Sequence, residues 1–476
     1  MGLSAHLTTV TDSYNVTQPR FLSLRSSKSF IVFMVAFAVS TDIFMYGLLV
    51  PVTPTALNSK LGIAEDKTQS WTSILLALYS AAFLVFSPIF GHLADRAKSR
   101  RWPLLLGLIV LGVATALLCI GTHIALWIVG RLLQGAAVAV VWAVGLALLV
   151  DTVGEDELGQ AIGYVSMGLS IGVLAGPLVG GAVYEHGGYY AVFGVAFGLI
   201  GIDLVLRLMV IEKKDVARWL AVAPPEREGE DTTQCSVLCE ADGPTSTSQP
   251  PQPSNDTKHP LRQLATLLRS PRLLVSLWGT FVISLVLTSF DSVLPLFVDE
   301  VFGWRQTGQG LIFIALVVPH IFDPLIGSLV DSHPRASRFL ISGAFLSATG
   351  PAVCLRLVTT NSLHDKILLC AFLALLGLCL AIANTPLMLE VFLAVKAKEA
   401  ALPGRRFGSN QRGGAVAFAF GLSNMAFAAG SLVGPFFAGY IRQSASWGTF
   451  AWALGLVLGV SSVPVVLVSG GWIGKR

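Results

Sequence analysis

Charge is what this sequence has least of. Only 13% of its 476 residues are Asp, Glu, Lys or Arg, about half of the roughly 25% found in soluble globular chains. So few charges cannot cover the surface of the two or three soluble domains this length would otherwise allow, which excludes a soluble protein. Cysteine is scarce too, six in all. Cys119, Cys354, Cys370 and Cys379 lie in apolar runs, and Cys235 and Cys239 lie in a polar stretch. That scatter excludes a disulfide framework, and Cys235-x3-Cys239 has no second pair of ligands to make a metal site. Neither sign of charge dominates. With 32 basic and 28 acidic residues, nothing suggests a nucleic-acid partner. A phosphate-cradling Gly loop, a metal-ligand cluster and a Ser nucleophile motif are all missing, so an enzyme and a cofactor are not expected.

Apolar residues are abundant: 54% of the chain is hydrophobic and the mean hydropathy is +0.71. The apolar runs are about 20 residues long, which suits membrane-crossing helices; strands of a membrane barrel need only about 9–11. Twelve runs lie near 30–52, 71–93, 103–120, 124–150, 161–184, 190–211, 273–298, 308–330, 339–358, 366–394, 413–441 and 446–470. The fold class is therefore an all-α polytopic membrane protein of twelve transmembrane helices in two six-helix halves. Residues 1–29 are polar, carry Arg20, Arg25 and Lys28, and form a cytoplasmic tail, so the first run reads as an uncleaved anchor. The two bundles are 30–211 and 272–470, followed by a cytoplasmic terminus at 471–476. The stretch 212–271 holds Pro224-Pro225, the acid-rich 226–231 and the Pro/Ser/Thr-rich 244–253, a composition that buries no core and reads as largely disordered.

Lys and Arg set the orientation. Outside the central loop, 16 gather on one side with both termini, six on the other, and two lie within spans. Basic loops stay cytoplasmic, so both termini and the central loop are expected inside. On that topology the sequons at Asn15 and Asn255 face the cytosol and are expected to stay unmodified. Plasma membrane is the first reading, with a vacuolar or vesicular membrane the alternative.

The halves repeat each other. Gly163-x8-Gly172-x3-Gly176-Pro177-x2-Gly180-Gly181 in the fifth run matches Gly421-x8-Gly430-x3-Gly434-Pro435-x3-Gly439 in the eleventh. Gly91-His-Leu-Ala-Asp95-Arg96 ends the second run, and Gly327-Ser-Leu-Val-Asp331 ends the eighth. Paired halves enclosing a midplane site are an architecture of secondary transporters.

Gly91-His-Leu-Ala-Asp95-Arg96-Ala-Lys98-Ser-Arg100-Arg101 resembles the loop signature of the major facilitator superfamily. Arg131-Leu-Leu-Gln134-Gly135 resembles that family's fourth-span motif, and the Gly163–Gly181 pattern resembles the fifth-span motif of its drug:proton antiporter branch. Asp42 nine residues before Pro51, Asp291 four before Pro295, 155–163 and 183–187 are similar to the vesicular amine type. Asn384 and Asn424 stand where that type carries acids, and the first loop is short, features closer to a fungal multidrug or metabolite exporter. The resemblance implies a proton-coupled antiporter exporting small organic molecules, such as drugs, amines or secondary metabolites. The alternatives are a symporter or facilitator for uptake of a nutrient or amine and, more remotely, a membrane-embedded enzyme. Its partners would be the substrate, protons and the bilayer, and it would act as a monomer.

Ionisable groups within a span are costly and mark function. Asp42, about 18 Å into the first run, reads as a proton carrier or counter-charge, and otherwise as a structural partner for an Arg. Asp291 is its counterpart in the seventh run, or a residue already in water at the outer boundary. Arg131 must find an acid, carbonyls or water, and Asp42 is its expected partner. His320 and Asp323, three apart between Pro319 and Pro324, read either as a proton site or as a polar seal between the halves. Tyr46, Gln134, Trp142, Phe290, Asn384 and Asn424 are expected to line the cavity, though Tyr46 and Trp142 could equally be packing. Asp203 and Arg207 are expected to pair with each other. Asp95, Arg96, Arg100, Arg101, Asp151 and Asp331 would form a cytoplasmic gate, with Asp95 capping a neighbouring helix. Gly163, Gly172, Gly176, Gly180 and Gly181 would allow close helix approach, with Pro177 bending the fifth helix.

Overall fold

The computed structural model describes residues 22–212, 267–400 and 416–468, apart from Lys98, Glu155, Arg305, Pro334 and Arg335. Residues 1–21 of the N-terminal tail, most of the central loop with Cys235 and Cys239, both sequons and the C-terminus lie outside the described residues.

Among the described residues, eleven helices are long and apolar enough to cross a membrane. One of them, Leu158–Met209, is 52 residues long. At 1.5 Å per residue it would measure about 78 Å, more than twice the hydrocarbon thickness. It breaks at Gly188, whose φ of 73° is open to glycine and strained for other residues. The break separates two spans, and the total is twelve. We label them α1 (Lys28–Leu49), α2 (Glu65–Arg96), α3 (Arg101–Ile120), α4 (Ile124–Val153), α5 (158–187) and α6 (189–209). The second half runs α7 (Pro271–Phe302), α8 (Gln306–Ser332), α9 (Ser337–Leu357), α10 (Leu363–Ala400), α11 (Val416–Ser444) and α12 (Trp447–Val468). The side carrying the α2–α3 loop is called inner below.

The apolar faces go two ways. On α3, the exposed Trp102, Leu106, Ile109, Val113 and Ile120 follow helical spacing along one face, as expected of a helix that meets lipid. The buried faces form a separate core in each half. Phe44, Leu48, Leu111, Trp127 and Phe193 pack in the first half, and Phe290, Phe297, Phe345 and Phe450 in the second. A further core crosses between the halves, joining Val35, Leu148 and Ile162 to Val330, Met388, Phe392 and Phe420. Its members from α2, α5, α8 and α11 include inner-end residues, so the halves are packed together on the inner side.

The glycine repeats place that seam. A Cβ at Gly163 would collide with the backbone of Asp323 and Pro324 on α8, and one at Gly421 with Ser87 on α2. Further along each helix, Gly172, Gly176 and Gly180 let α5 approach Ser40, Phe44 and Leu48 of α1, while Gly430 and Gly434 let α11 approach α7. Gly181 and Gly439 have open space where a Cβ would sit, so Gly181 is not used for close approach.

Helix α8 is interrupted. Gln306–Val317 gives way to a 3-10 turn over Val318–Phe322 before the helix resumes at Asp323–Ser332. Pro319 and Pro324 cause this, since each lacks an N–H and crowds the preceding turn.

Candidate functional site

Asp42 on α1 is 1% exposed, and neither of its carboxylate oxygens has a hydrogen-bond partner. Tyr46, one turn further along, is half-buried and packs its ring at 4.7 Å against Tyr79 of α2. Tyr79 lies within Coulombic range of Asp42 and Arg131, so these groups share one neighbourhood. From the other half, Asp291 is exposed and within Coulombic range of Tyr46. Tyr46 is thus reached by Asp291 from the other half and lies one turn from Asp42 on its own helix.

Arg131 on α4 is fully buried. Its guanidinium donates to Gln134 Oε1 and to Thr53 Oγ1, each at 3.3 Å. The expected Asp42–Arg131 pair is not formed. Thr53 sits in the short helix Val52–Ser59 beyond the outer end of α1, about 16 Å further along the chain path than Asp42. A long side chain reaching outward to Thr53 leaves the carboxylate behind.

Deeper toward the inner side, Trp142 of α4 stacks on Phe427 of α11 at 6.1 Å and meets Phe83 of α2 at 6.4 Å. Asn424, one turn before Phe427, is buried with its Nδ2 unpartnered. Asn384 of α10 donates to Ser166 Oγ of α5 at 3.4 Å, so it ties the halves together. Phe290 lies elsewhere: fully buried, it packs edge-on against Phe450 of α12 at 5.8 Å. Neighbouring residues point about 100° apart on a helix, so a helix presenting Asp291 inward turns Phe290 into the core of its own half.

His320 and Asp323 meet at 3.1 Å, both buried, at the break in α8. They lie against α5 at Gly163, on the seam between halves and apart from the Asp42 group. Asp203 and Arg207 pair through two bonds of 3.1 and 2.5 Å, and Arg207 also donates to Leu104 O at 2.6 Å. Glu390 is bound by Arg272 at 2.7 Å.

On the inner side, two of the expected gate residues capture backbone N–H groups. Asp95 accepts the N–H groups of Ala417 and Phe418 at 3.0 and 2.8 Å. Asp331 accepts those of Gly159 and Gln160, both at 2.8 Å. Arg100 donates to Asp151 at 3.2 Å and to Ala94 O at 2.6 Å, and lies 3.6 Å from Asp95. Two expected members stand apart: Arg101 donates to Leu208 O at 2.6 Å, and Arg96 is exposed. Position on the helix explains this, since Arg101 opens α3 next to the end of α6.

Glu212, which no sequence pattern singles out, accepts from Ser99 Oγ at 2.6 Å and from the N–H groups of Arg100 and Arg101 at 2.8 and 2.9 Å. It caps α3 from more than a hundred residues away, so no local signal could reveal it. Thr53 and Tyr79 are likewise silent in the motifs. The one sequence hint for Tyr79 is an aromatic hydroxyl in the middle of an apolar run.

The Major Facilitator Superfamily family model matches residues 32–404. The chain belongs to this superfamily. An uncharacterized MFS-type transporter of Schizosaccharomyces pombe is 34% identical over 420 residues, covering 88% of this chain and 91% of that protein. MFS-type transporter ppzB of Metarhizium rileyi is 33% identical over 476 residues, covering 95% and 97%. The human organic anion transporter MFSD10 shares the fold, with a TM-score of 0.61 at 18% identity, covering 94% of this chain and all of that one. As a facilitator-superfamily member, the protein is a multi-pass membrane transporter of small molecules.

Proposed function

We propose that the chain is a proton-coupled antiporter that exports small organic molecules across the plasma membrane by alternating access. The units 30–211 and 272–470 rock about the central region, with both termini in the cytoplasm. Asp42 carries the reading: a buried carboxylate with neither oxygen partnered. Isolated buried charge is too costly to keep, so this group must be neutralised by a proton or by a cationic substrate. A group that holds one or the other, but not both, couples their movement in opposite directions. Asp291, within Coulombic range of Tyr46, is a second carboxylate for the exchange. The glycine spacing shared with the antiporter branch supports export over uptake.

The test is flux in proteoliposomes. With Asp42→Asn, accumulation against a gradient should vanish when a proton gradient is imposed, while substrate exchange at equal concentrations should persist. Gradient-driven accumulation that survives undiminished in Asp42→Asn would overturn the reading.

A further inference from the structure

The repeat sets the same backbone at both seams between the halves, but not the same side chains. Counting back from Asp95 and Asp331, Ser87-Pro88 on α2 stands where Asp323-Pro324 stands on α8. A Cβ at Gly421 would meet the Ser87 carbonyl and Pro88, and one at Gly163 the Asp323 carbonyl and Pro324. The two contacts are equivalent in geometry and different in chemistry. Ser87 is buried and donates to Phe83 O at 2.6 Å within a helix that runs unbroken from Glu65 to Arg96. Leu84 takes the place of His320. At these positions the α2–α11 seam has nothing to titrate.

On α8 the same positions hold an imidazole and a carboxylate. His320 Nδ1 lies 3.1 Å from Asp323 Oδ2, both side chains are buried, and Asp323 Oδ1 has no partner. The pair sits where the turn Val318–Phe322 gives way to the inner segment Asp323–Ser332, at the joint about which that segment would swing. The joint and the inner segment pack on α5 and α10. Near this level those helices carry three titratable groups: Tyr164 is exposed, Cys379 is half-buried, and Glu390 is held by Arg272. Lys396 and Lys398 follow at the inner end of α10. On α8 itself Asp331, two turns further in, accepts from Gly159 and Gln160. Among the described residues, His320 is the charged partner within Coulombic range of Asp323.

With one shared proton the pair is neutral overall, whether as imidazole with carboxylic acid or as imidazolium with carboxylate. Without it, a single negative charge with one unpartnered oxygen is left inside a closed seam, which is costly. Opening the seam admits water and removes that cost, and a hydrated imidazole releases its proton at about pH 6.5. Closing therefore takes up a proton and opening releases one. We propose that His320 and Asp323 form a proton switch on the α5–α8 seam, so that the inner face opens more readily as the inner pH rises. The switch acts at one seam of the two and is separate from Asp42. The opening it controls is the alternating access proposed above.

Double electron–electron resonance on the full chain in nanodiscs reads that opening. Spin labels are placed at Leu93→Cys on α2 and Leu329→Cys on α8, both exposed, with the six native cysteines replaced. Asp42→Asn in every sample removes that carboxylate's own response to pH. Above about pH 6.5 the ratio of open to closed should rise by up to about tenfold per pH unit, the limit for one released proton. The uncharged variant His320→Gln/Asp323→Asn should stay closed throughout, at the distance the intact pair shows at low pH. Asp323→Asn alone should reverse the trend, because a lone buried imidazole is neutral in the closed seam and gains its proton on opening, below about pH 6.5. That reversal is a second reading should the double variant fold poorly. A flat response with the pair intact, a response of opposite sign, or a slope that survives the double substitution overturns the proposal. A distance that responds to Asp331→Asn but not to pH overturns the switch and leaves alternating access standing.

Discussion

Asp95 and Asp331 hold equivalent places in opposite halves. Each ends the second helix of its own half and accepts two backbone N–H groups from the start of the other half's fifth helix. A carboxylate there meets free N–H groups and the positive end of a helix dipole together. The two captures join α2 to α11 and α8 to α5, so on the alternating-access proposal both release before the inner face parts.

Removing one clamp should therefore open the inner side. Asp331→Asn keeps the shape but loses the charge, at a cost of about 1–2 kcal/mol, or roughly a 5–30-fold shift in the open population. Ser166, buried beneath the seam, is a suitable reporter. A Ser166→Cys protein should be labelled faster by an inner-side thiol reagent when Asp331→Asn or Asp95→Asn is added. Equal labelling rates would show that the clamps do not hold the gate.

The glycines of the fifth-helix pattern should differ sharply in their tolerance of a methyl group. At Gly163 the added carbon meets the backbone of Asp323 and Pro324, whereas at Gly181 it meets nothing. Backbone cannot move aside as a side-chain tip can, so Gly163→Ala should force α5 and α8 apart and slow transport at least about tenfold. Gly181→Ala should stay within about 0.5 kcal/mol of wild-type stability and transport normally. Comparable rates for the two variants in a flux assay would contradict this.

That contrast shows where sequence reading reaches its limit. Run length and the short break between the fifth and sixth runs make twelve helices legible, because a lipid bilayer imposes both length and apolarity. An acid within a span stands out for the same reason, and Asp42 is buried and unpartnered. What a helix faces is a different matter. Gly163 and Gly181 belong to one spacing pattern yet see a packed helix and empty space, and Phe290 and Asp291 are adjacent yet point into different surroundings. The partner of Arg131 is a hydroxyl beyond Pro51, where spacing arguments between charged groups offer no guidance.

Glu212 should matter more for stability than an acid beside a long polar loop ordinarily does. It satisfies the N–H groups of Arg100 and Arg101 at the start of α3, and loss of a helix cap costs about 0.5–2 kcal/mol. It also fixes the backbone from which Arg100 reaches Asp151 and Asp95. Glu212→Ala should lower the melting temperature in detergent and also raise inner-side labelling of the Ser166→Cys reporter. A melting temperature equal to wild type would remove Glu212 from the gate's foundation.

The last prediction concerns how Arg131 is held. Its guanidinium spans two acceptors, Gln134 on its own helix and Thr53 on the short helix that follows α1. Thr53 in turn donates to Leu49 O at 2.6 Å, so the arginine is tied to the outer end of the first span. Lysine places one compact ammonium where arginine offers a planar fork, and cannot serve both acceptors in this geometry. Arg131→Lys should thus lose transport although the charge remains, and Thr53→Val should lose part of it by removing one acceptor. If the two residues act through their mutual bond, the double variant should do no worse than Arg131→Lys alone, with a coupling of about 0.5–3 kcal/mol in the cycle. Additive losses would mean that Arg131 and Thr53 contribute independently. Near-wild-type transport by Arg131→Lys would instead mean that Arg131 acts through its charge alone, which also reaches Tyr46 and Tyr79.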